Sequence, residues 1–209
     1  MNTAAEYLLI VEDDPDILKL LDATLTFKGY RVITAHNGKE GLEAIQKKRP
    51  ALVIADIMMP TLDGFGLVHR MRINPQTRDI PVVFITATYV AREDRDFALS
   101  FGATRFMQKP LDLEKFLAII GELLEQPLPA VIKSFNDLDF YNEYRKRLEA
   151  KLEEKRKQIA RAERLLGTNT DKDDQSLQAS LRQAIHEREE LQLLLAQVRE
   201  QLEHHAKSA

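Results

Sequence analysis

The 209-residue sequence contains no cysteine and no tryptophan. Without cysteine the chain has no disulfide framework, no thiolate metal site and no cysteine nucleophile. No uninterrupted apolar run approaches the roughly 20 residues that span a bilayer, and the first residues lack the regions of a signal peptide. A net charge of −3 gives the chain no general attraction for nucleic acid. We therefore expect a cytoplasmic protein that binds neither membrane nor nucleic acid.

Up to about residue 126, the sequence alternates short apolar runs with amphipathic stretches. The predicted strands are Leu8–Val11, Arg31–Thr34, Ala51–Ala55, Val82–Thr86 and Thr104–Met107. The predicted helices are Pro15–Lys28, Lys39–Lys48, Gly64–Ile73, Glu93–Phe101 and Leu113–Leu124. Joins between them carry residues such as Gly29 and Pro81, which favour turns. Five strand–helix units in this order predict an α/β domain 1–126 with a flavodoxin-like (βα)5 fold, a doubly wound parallel sheet.

A second pattern begins after residue 126. Residues 127–133 contain two prolines and are predicted to form a linker. From 134 to 209 the sequence is polar, and its apolar residues recur at steps of three and four on both sides of Gly167–Ser176. This heptad pattern predicts two helices, about 134–166 and 176–205, folded back on each other as an antiparallel coiled-coil hairpin.

Cations interrupt the apolar seam of this predicted hairpin at Arg145, Lys155 and Arg188. We expect their aliphatic stems to lie along the seam while their charges reach neighbouring glutamates. The alternative is a polar layer that sets the register of the helices or binds an acidic partner. Near the end of the second helix, His204 and His205 are interpreted as a solvated tail.

Three consecutive acids, Glu12, Asp13 and Asp14, follow the first predicted strand. Like charges this close are unfavourable unless positive charge lies among them. The third strand is followed by Asp56, and the flavodoxin-like order places the ends of these two strands side by side, where ligands of open α/β sheets bind. The carboxylates there suit Mg²⁺, which prefers oxygen ligands. Asp14, which precedes Pro15, is interpreted instead as the cap of the first helix.

A hydroxyl and an ammonium group are predicted at the same edge, because Thr86 ends the fourth strand and Lys109 follows the fifth. Acids, a hydroxyl and an ammonium at one edge are typical of a phosphoryl-transfer site. The segments VEDD, DIMMPTLDG, TA and KP occur in this order, and from about Glu6 to Glu125 the chain resembles the receiver domain of two-component response regulators. The resemblance implies the same (βα)5 fold and a phosphorylated switch, not an enzyme acting on a separate substrate.

The resemblance also implies roles for the acids. Asp56 matches the phosphoacceptor, a carboxylate nucleophile that attacks phosphohistidine. Asp13 matches a direct ligand of Mg²⁺, and Glu12 matches an acidic neighbour that acts through water. Asp56 and the backbone carbonyl of Met58 complete the implied metal site.

Three further matches concern the transferred group and the response to it. The hydroxyl of Thr86 is expected to bond a phosphoryl oxygen. The ammonium of Lys109 is expected to pair with the bare carboxylate and then with the phosphoryl group, and the Lys109–Pro110 peptide bond is expected to be cis. Phe106 matches an aromatic residue that, together with Thr86, switches position on activation.

The partners implied are a sensor histidine kinase or a histidine phosphotransfer protein as phosphoryl donor. The C-terminal half contains no DNA-binding or cyclase signature, which leaves three hypotheses for the output. In the first, phosphorylation changes how the hairpin binds a protein effector or a second copy of the chain in a homodimer. In the second, the hairpin is a phosphotransfer or phosphatase device that uses His186 or a glutamine, although His186 is interpreted as an exposed helix residue. In the third, the helices connect to a further output domain.

Overall fold

The computed structural model describes residues 7–87, 92–125, 137–168 and 175–207. The chain divides into two compact units, Met1–Phe135 and Asn136–Ala209. The predicted linker 127–133 lies outside the described residues, as do residues 134–136 at the predicted start of the hairpin. None of the helices in the described ranges combines the length and the hydropathy that a bilayer crossing requires.

In the part of the first unit that the structure describes, five strands alternate strictly with five helices. The strands are β1 (Tyr7–Val11), β2 (Arg31–Ala35), β3 (Leu52–Asp56), β4 (Val82–Thr86) and β5 (Arg105–Gln108). The helices are α1 (Pro15–Phe27), α2 (Gly38–Lys47), α3 (Gly64–Ile73), α4 (Arg92–Ser100) and α5 (Leu113–Glu125). The strands pair in parallel in the order β2-β1-β3-β4-β5. This order confirms the predicted flavodoxin-like fold.

The three central strands are buried along their whole length. Strands of a parallel sheet covered by helices on both faces contact apolar side chains on both sides. On one face, Ile10, Ile54 and Ile85 of neighbouring strands join a cluster with Leu21 of α1 and Phe116 of α5. The edge strand β2 is different, since Ile33 is 39% exposed. The buried centre of the sheet therefore fixes the carboxyl ends of β1, β3 and β4 relative to one another.

The helices that begin at the carboxyl ends of the strands are capped by side chains. The Oδ1 atom of Asp14 accepts hydrogen bonds from the backbone N–H groups of Asp16, at 2.8 Å, and Ile17, at 3.1 Å. The cap predicted for α1 is thereby confirmed, and these two donors lower the pKa of Asp14. Asn37 and Asp63 cap α2 and α3 in the same way. Each cap fixes the point where the chain turns from a strand or loop into a helix.

The described residues of the second unit, 137–168 and 175–207, form two long helices packed on each other, α6 (Asp137–Thr168) and α7 (Gln175–Lys207). Two contacts show that they run antiparallel. The Nη2 atom of Arg199 lies 3.0 Å from Oε1 of Glu149, and Nε2 of His205 lies 3.2 Å from Oδ2 of Asp137. The late residues of α7 therefore contact the early residues of α6, as the heptad pattern predicts for a hairpin.

Two of the three cations of the seam, Lys155 and Arg188, reach glutamates, as expected. Lys155 of α6 forms an ion pair with Glu187 of α7, and both side chains are largely buried, 16% and 11% exposed. Glu187 also accepts a hydrogen bond of 3.0 Å from Nε2 of Gln183. Arg188 extends instead toward its neighbour Glu189, with 3.5 Å between Nη2 and Oε1. Lys155 and Arg188 therefore each contact a glutamate, so the seam does not place two unpaired cations opposite each other.

The interpretation of His205 as part of a solvated tail is wrong. Its Nδ1 atom lies 2.7 Å from the carbonyl oxygen of Gln201, and its ring centre lies 5.7 Å from that of Tyr141. The backbone carbonyl of Gln201 and the carboxylate of Asp137 raise the pKa of His205. The heptad pattern gave no indication of this contact because a histidine so near a helix end is ordinarily exposed. His186, by contrast, is 73% exposed as expected.

Candidate functional site

Parallel pairing brings the predicted site residues to one edge of the sheet. Asp56 is the last residue of β3 and Thr86 the last of β4. Glu12 directly follows β1, and Lys109 directly follows β5. The register aligns the ends of these neighbouring strands. Four side chains that are distant in the sequence therefore belong to one small region.

The acids of this region form a cluster. Glu12, Asp13 and Asp56 each offer a carboxylate oxygen, and these atoms lie within 4.8 Å of one another. Glu12 is completely buried and Asp56 is 7% exposed, whereas Asp13 is open to solvent. A set of carboxylate oxygens with one solvent-facing member suits a hard divalent cation such as Mg²⁺, which keeps part of its water shell.

Lys109 places one positive charge among these acids. Its Nζ atom lies 2.6 Å from Oδ2 of Asp56, and 2.9 and 3.1 Å from the two carboxylate oxygens of Glu12. The backbone N–H of Lys109 donates a 2.8 Å hydrogen bond to the carbonyl oxygen of Thr86. The ammonium group is therefore fixed through its own backbone as well as through its ion pairs.

One ammonium does not balance three carboxylates at this edge. Burial, followed by the charge of Asp56, raises the pKa of Glu12 to about 7. The same two causes raise the pKa of Asp13. For Lys109, burial opposes the charged form, but the attraction of Asp56 and Glu12 outweighs it and the pKa is raised. The cluster thus retains excess negative charge, which a bound cation would stabilise.

The second oxygen of Asp56 is held by the loop that follows it. Its Oδ1 atom accepts hydrogen bonds from the backbone N–H groups of Ile57, at 2.5 Å, and Met58, at 3.3 Å. These bonds orient the carboxylate while Oδ2 contacts Lys109. Met58, the predicted carbonyl ligand, lies in this loop two residues after Asp56.

The two predicted switch residues occupy neighbouring strands. Thr86 is completely buried at the end of β4. Phe106 lies in the edge strand β5, in register with Phe84, and is half-buried. The Lys109–Pro110 peptide bond is cis, as expected. Phe106 is therefore partly open to solvent at this edge strand.

One site contact was missed by the sequence reasoning, namely the direct pairing of Glu12 with Lys109. Glu12 was expected to act on the metal through water, and its bond to the ammonium group was not foreseen. The order of the strands was the available signal, but it places residues at an edge without giving the direction of their side chains.

A comparison with protein families agrees with this geometry. The model of the response regulator receiver domain matches residues 8–121, more than half of the chain. This chain belongs to the response regulator receiver domain family. Receiver domains of this family are the response components of two-component signal transduction. The match ends within α5, so it does not include α6 and α7.

Curated relatives and solved structures are similar over the same part. The chain is 36% identical over 126 residues to a probable transcriptional regulator ycf27 of Pyropia yezoensis, covering 60% of this chain and 50% of the relative. It is 37% identical over 131 residues to the transcriptional regulatory protein GlrR of Escherichia coli, covering 62% of this chain and 29% of the relative. A putative response regulator from Chloroflexus aurantiacus superposes with a TM-score of 0.55 at 30% identity, covering 58% of this chain and 98% of that one. The chain thus spans about half the length, or less, of these two curated relatives.

Proposed function

We propose that the protein is a phosphorylatable response regulator in which Asp56 accepts a phosphoryl group in the presence of Mg²⁺. The observation that carries this proposal is the position of the Asp56 carboxylate. Its oxygens lie in one cluster with those of Glu12 and Asp13, and one of them is 2.6 Å from the ammonium of Lys109. A nucleophile that shares a candidate metal site and contacts a fixed cation is suited to phosphoryl transfer, which depends mainly on positioning and charge stabilisation.

The donor we propose is the phosphohistidine of a sensor histidine kinase or a histidine phosphotransfer protein. An oxygen of Asp56 attacks the phosphorus atom, so a P–O bond forms while the P–N bond breaks. The electron pair of the P–N bond stays on the imidazole nitrogen, and the imidazole leaves neutral when its other nitrogen carries a proton. The product is an aspartyl phosphate at Asp56.

The chain's own residues orient this step. The N–H groups of Ile57 and Met58 hold Oδ1 of Asp56 and fix the direction of attack. The ammonium of Lys109 stabilises the negative charge that develops on the phosphoryl oxygens. The hydroxyl of Thr86 donates a hydrogen bond to one of these oxygens after transfer. Glu12, Asp13, Asp56 and the carbonyl of Met58 would hold Mg²⁺. When bound, the ion would supply positive charge that stabilises the transferring oxygens.

The output we propose is a protein–protein contact of the hairpin, α6 and α7. The protein then acts as a cytoplasmic switch whose only chemistry is its own phosphorylation and dephosphorylation. Phe106, half-buried beside β4, would respond to the movement of Thr86 toward the phosphoryl group. The hairpin is supported as the output because it forms a unit of its own that the family match does not include.

Intact-mass spectrometry with acetyl phosphate and Mg²⁺ tests the acceptor. We expect the wild-type protein to gain the mass of one phosphoryl group and Asp56→Ala to gain none. Asp14→Ala is the matched control, because it removes an acid of the same segment that caps α1 and should leave labelling intact. Equal labelling of Asp56→Ala and the wild type would disprove the assignment.

A further inference from the structure

The loop between β3 and α3, residues 57–63, contains the carbonyl that we assign to Mg²⁺, and it is tied to the fold at both ends. At its C-terminal end, the backbone N–H of Gly64 donates a 2.9 Å hydrogen bond to the carbonyl oxygen of Ile57. A Cβ atom on Gly64 would collide with the backbone of Asp56 itself. This hydrogen bond joins the two ends of the loop beside β3.

The second tie comes from a different element, α2. The backbone N–H of Gly38, the first residue of α2, donates a 2.8 Å hydrogen bond to the carbonyl oxygen of Leu62. A Cβ atom on Gly38 would lie 2.5 Å from that oxygen and 3.1 Å from the carbonyl carbon. Because both atoms belong to the backbone, a rotamer change cannot relieve the contact. Only glycine allows α2 to approach the loop this closely.

The backbone conformation of the loop shows that these two hydrogen bonds constrain it. Thr61 has a φ of 68°, in the left-handed region that β-branched residues rarely adopt. Such a conformation persists only where the surrounding structure imposes it. Its neighbour Leu62 accepts the bond from Gly38, and the N–H of Leu62 in turn donates a 2.7 Å bond to the carbonyl of Pro60. The contact with α2 is therefore part of what determines the path of the loop.

We infer that Gly38 is a positioning residue for the Mg²⁺ site, holding through Leu62 the loop that presents the carbonyl of Met58. The inference rests on the proposed function, because that function assigns the carbonyl to the metal. Gly38 is not one of the residues assigned to the ion. It acts by limiting the displacement of a loop whose other end is already attached to Asp56 by the bonds of Ile57 and Met58 to Oδ1.

Isothermal titration calorimetry of the metal-free protein with Mg²⁺ tests the inference. Gly38→Ala should bind Mg²⁺ roughly 10-fold more weakly, the scale of losses seen when residues behind a metal ligand are changed. Gly121→Ala is the matched control: it is the same substitution in a helix, α5, but its Cβ would meet nothing within 4 Å. It should bind Mg²⁺ as the wild type does.

Asn37→Ala provides a second variant in case Gly38→Ala does not fold. Asn37 accepts a 3.0 Å hydrogen bond from the N–H of Glu40, so its loss loosens the first turn of α2 without a collision. We expect a smaller loss of affinity in the same direction. If Gly38→Ala folds and binds Mg²⁺ as tightly as the wild type, the role of Gly38 is overturned and the proposed function stays intact. If Gly38→Ala does not fold, wild-type affinity of Asn37→Ala has the same meaning. Absence of Mg²⁺ binding by the wild type would overturn the metal site itself.

Discussion

At the scale of single residues, the buried carboxyl group of Glu12 makes stability depend on pH. Burial and the charge of Asp56 raise its pKa from 4.5 to about 7 in the folded protein. The folded state therefore binds this proton more tightly than the unfolded state, and the stabilisation is present below the unfolded pKa and is lost as the pH rises through about 7. For the metal-free protein, we expect the free energy of unfolding to fall by at most about 3 kcal/mol over this range through Glu12.

Urea unfolding at a series of pH values measures this contribution. The reference is Glu12→Gln, which keeps the shape of the side chain but cannot ionise. The free energy of unfolding of the wild type minus that of Glu12→Gln should fall as the pH rises toward 7 and then remain constant. Other groups titrate in both proteins and therefore cancel in this difference. A difference that does not change with pH would show that the carboxyl group of Glu12 titrates normally.

Which single residues meet at the site was largely predictable, and the contact of Lys109 with Asp56 followed from the family resemblance, whereas other contacts were not predictable. Glu12, Asp56 and Lys109 follow or end strands, and strands of one parallel sheet end at the same edge. The pairing of Glu12 with Lys109 depends on side-chain directions that spacing does not determine. The contact of Gly38 with Leu62 depends on the path of a loop from another part of the chain, so no local pattern could reveal it.

At the scale of elements, the ion pair between Lys155 of α6 and Glu187 of α7 is a largely buried polar interruption of the hairpin seam. Breaking a buried pair leaves one charge without compensation, and this costs about 3–5 kcal/mol. We expect a loss near the lower end of that range for Glu187→Leu, because Lys155 is 16% exposed and retains some hydration. Replacement of both residues, Lys155→Met with Glu187→Leu, should be close to neutral, because an apolar pair of similar volume suits the seam.

Urea unfolding of the full chain, followed by circular dichroism, separates Glu187→Leu from the double variant. Arg199→Ala is the surface control, because its pair with Glu149 is well exposed and such pairs contribute about 1 kcal/mol or less. If Glu187→Leu alone were as stable as the double variant, the pair would contribute nothing to the seam.

The elements themselves were predicted well because their signals are periodic. Every strand and helix of the first unit begins and ends within one residue of its predicted position. Arg72 shows where periodicity gives no information. It lies in α3 and is 6% exposed, and its guanidinium donates hydrogen bonds to the carbonyl oxygens of Gly102, Ile80 and Arg78. An arginine in an amphipathic helix is ordinarily solvated, so this buried attachment of α3 to later loops could not be foreseen.

At the scale of the whole molecule, the change in the spacing of apolar residues near residue 127 predicted two kinds of structure in one chain. The same spacing cannot identify what the hairpin binds. Apolar residues such as Leu148 and Leu191 are buried within the second unit, so they report the contact of α6 with α7 and not a partner. The charges are more informative. Lys and Arg outnumber Glu along 145–164 of α6, and Glu outnumbers Lys and Arg along 186–203 of α7.

This distribution allows α6 of one copy to lie beside α7 of a second copy with opposite charges in contact, and we expect phosphorylation of Asp56 to promote that association. Amide hydrogen exchange of the full chain, with and without acetyl phosphate and Mg²⁺, measures it. Peptides from α6 and α7 should exchange more slowly in the labelled protein, because a second copy covers them, and the slowing should increase with protein concentration. Asp56→Ala should show no change. Slowing that does not depend on concentration would exclude self-association, and unchanged exchange in both helices would show that the hairpin does not respond to the receiver.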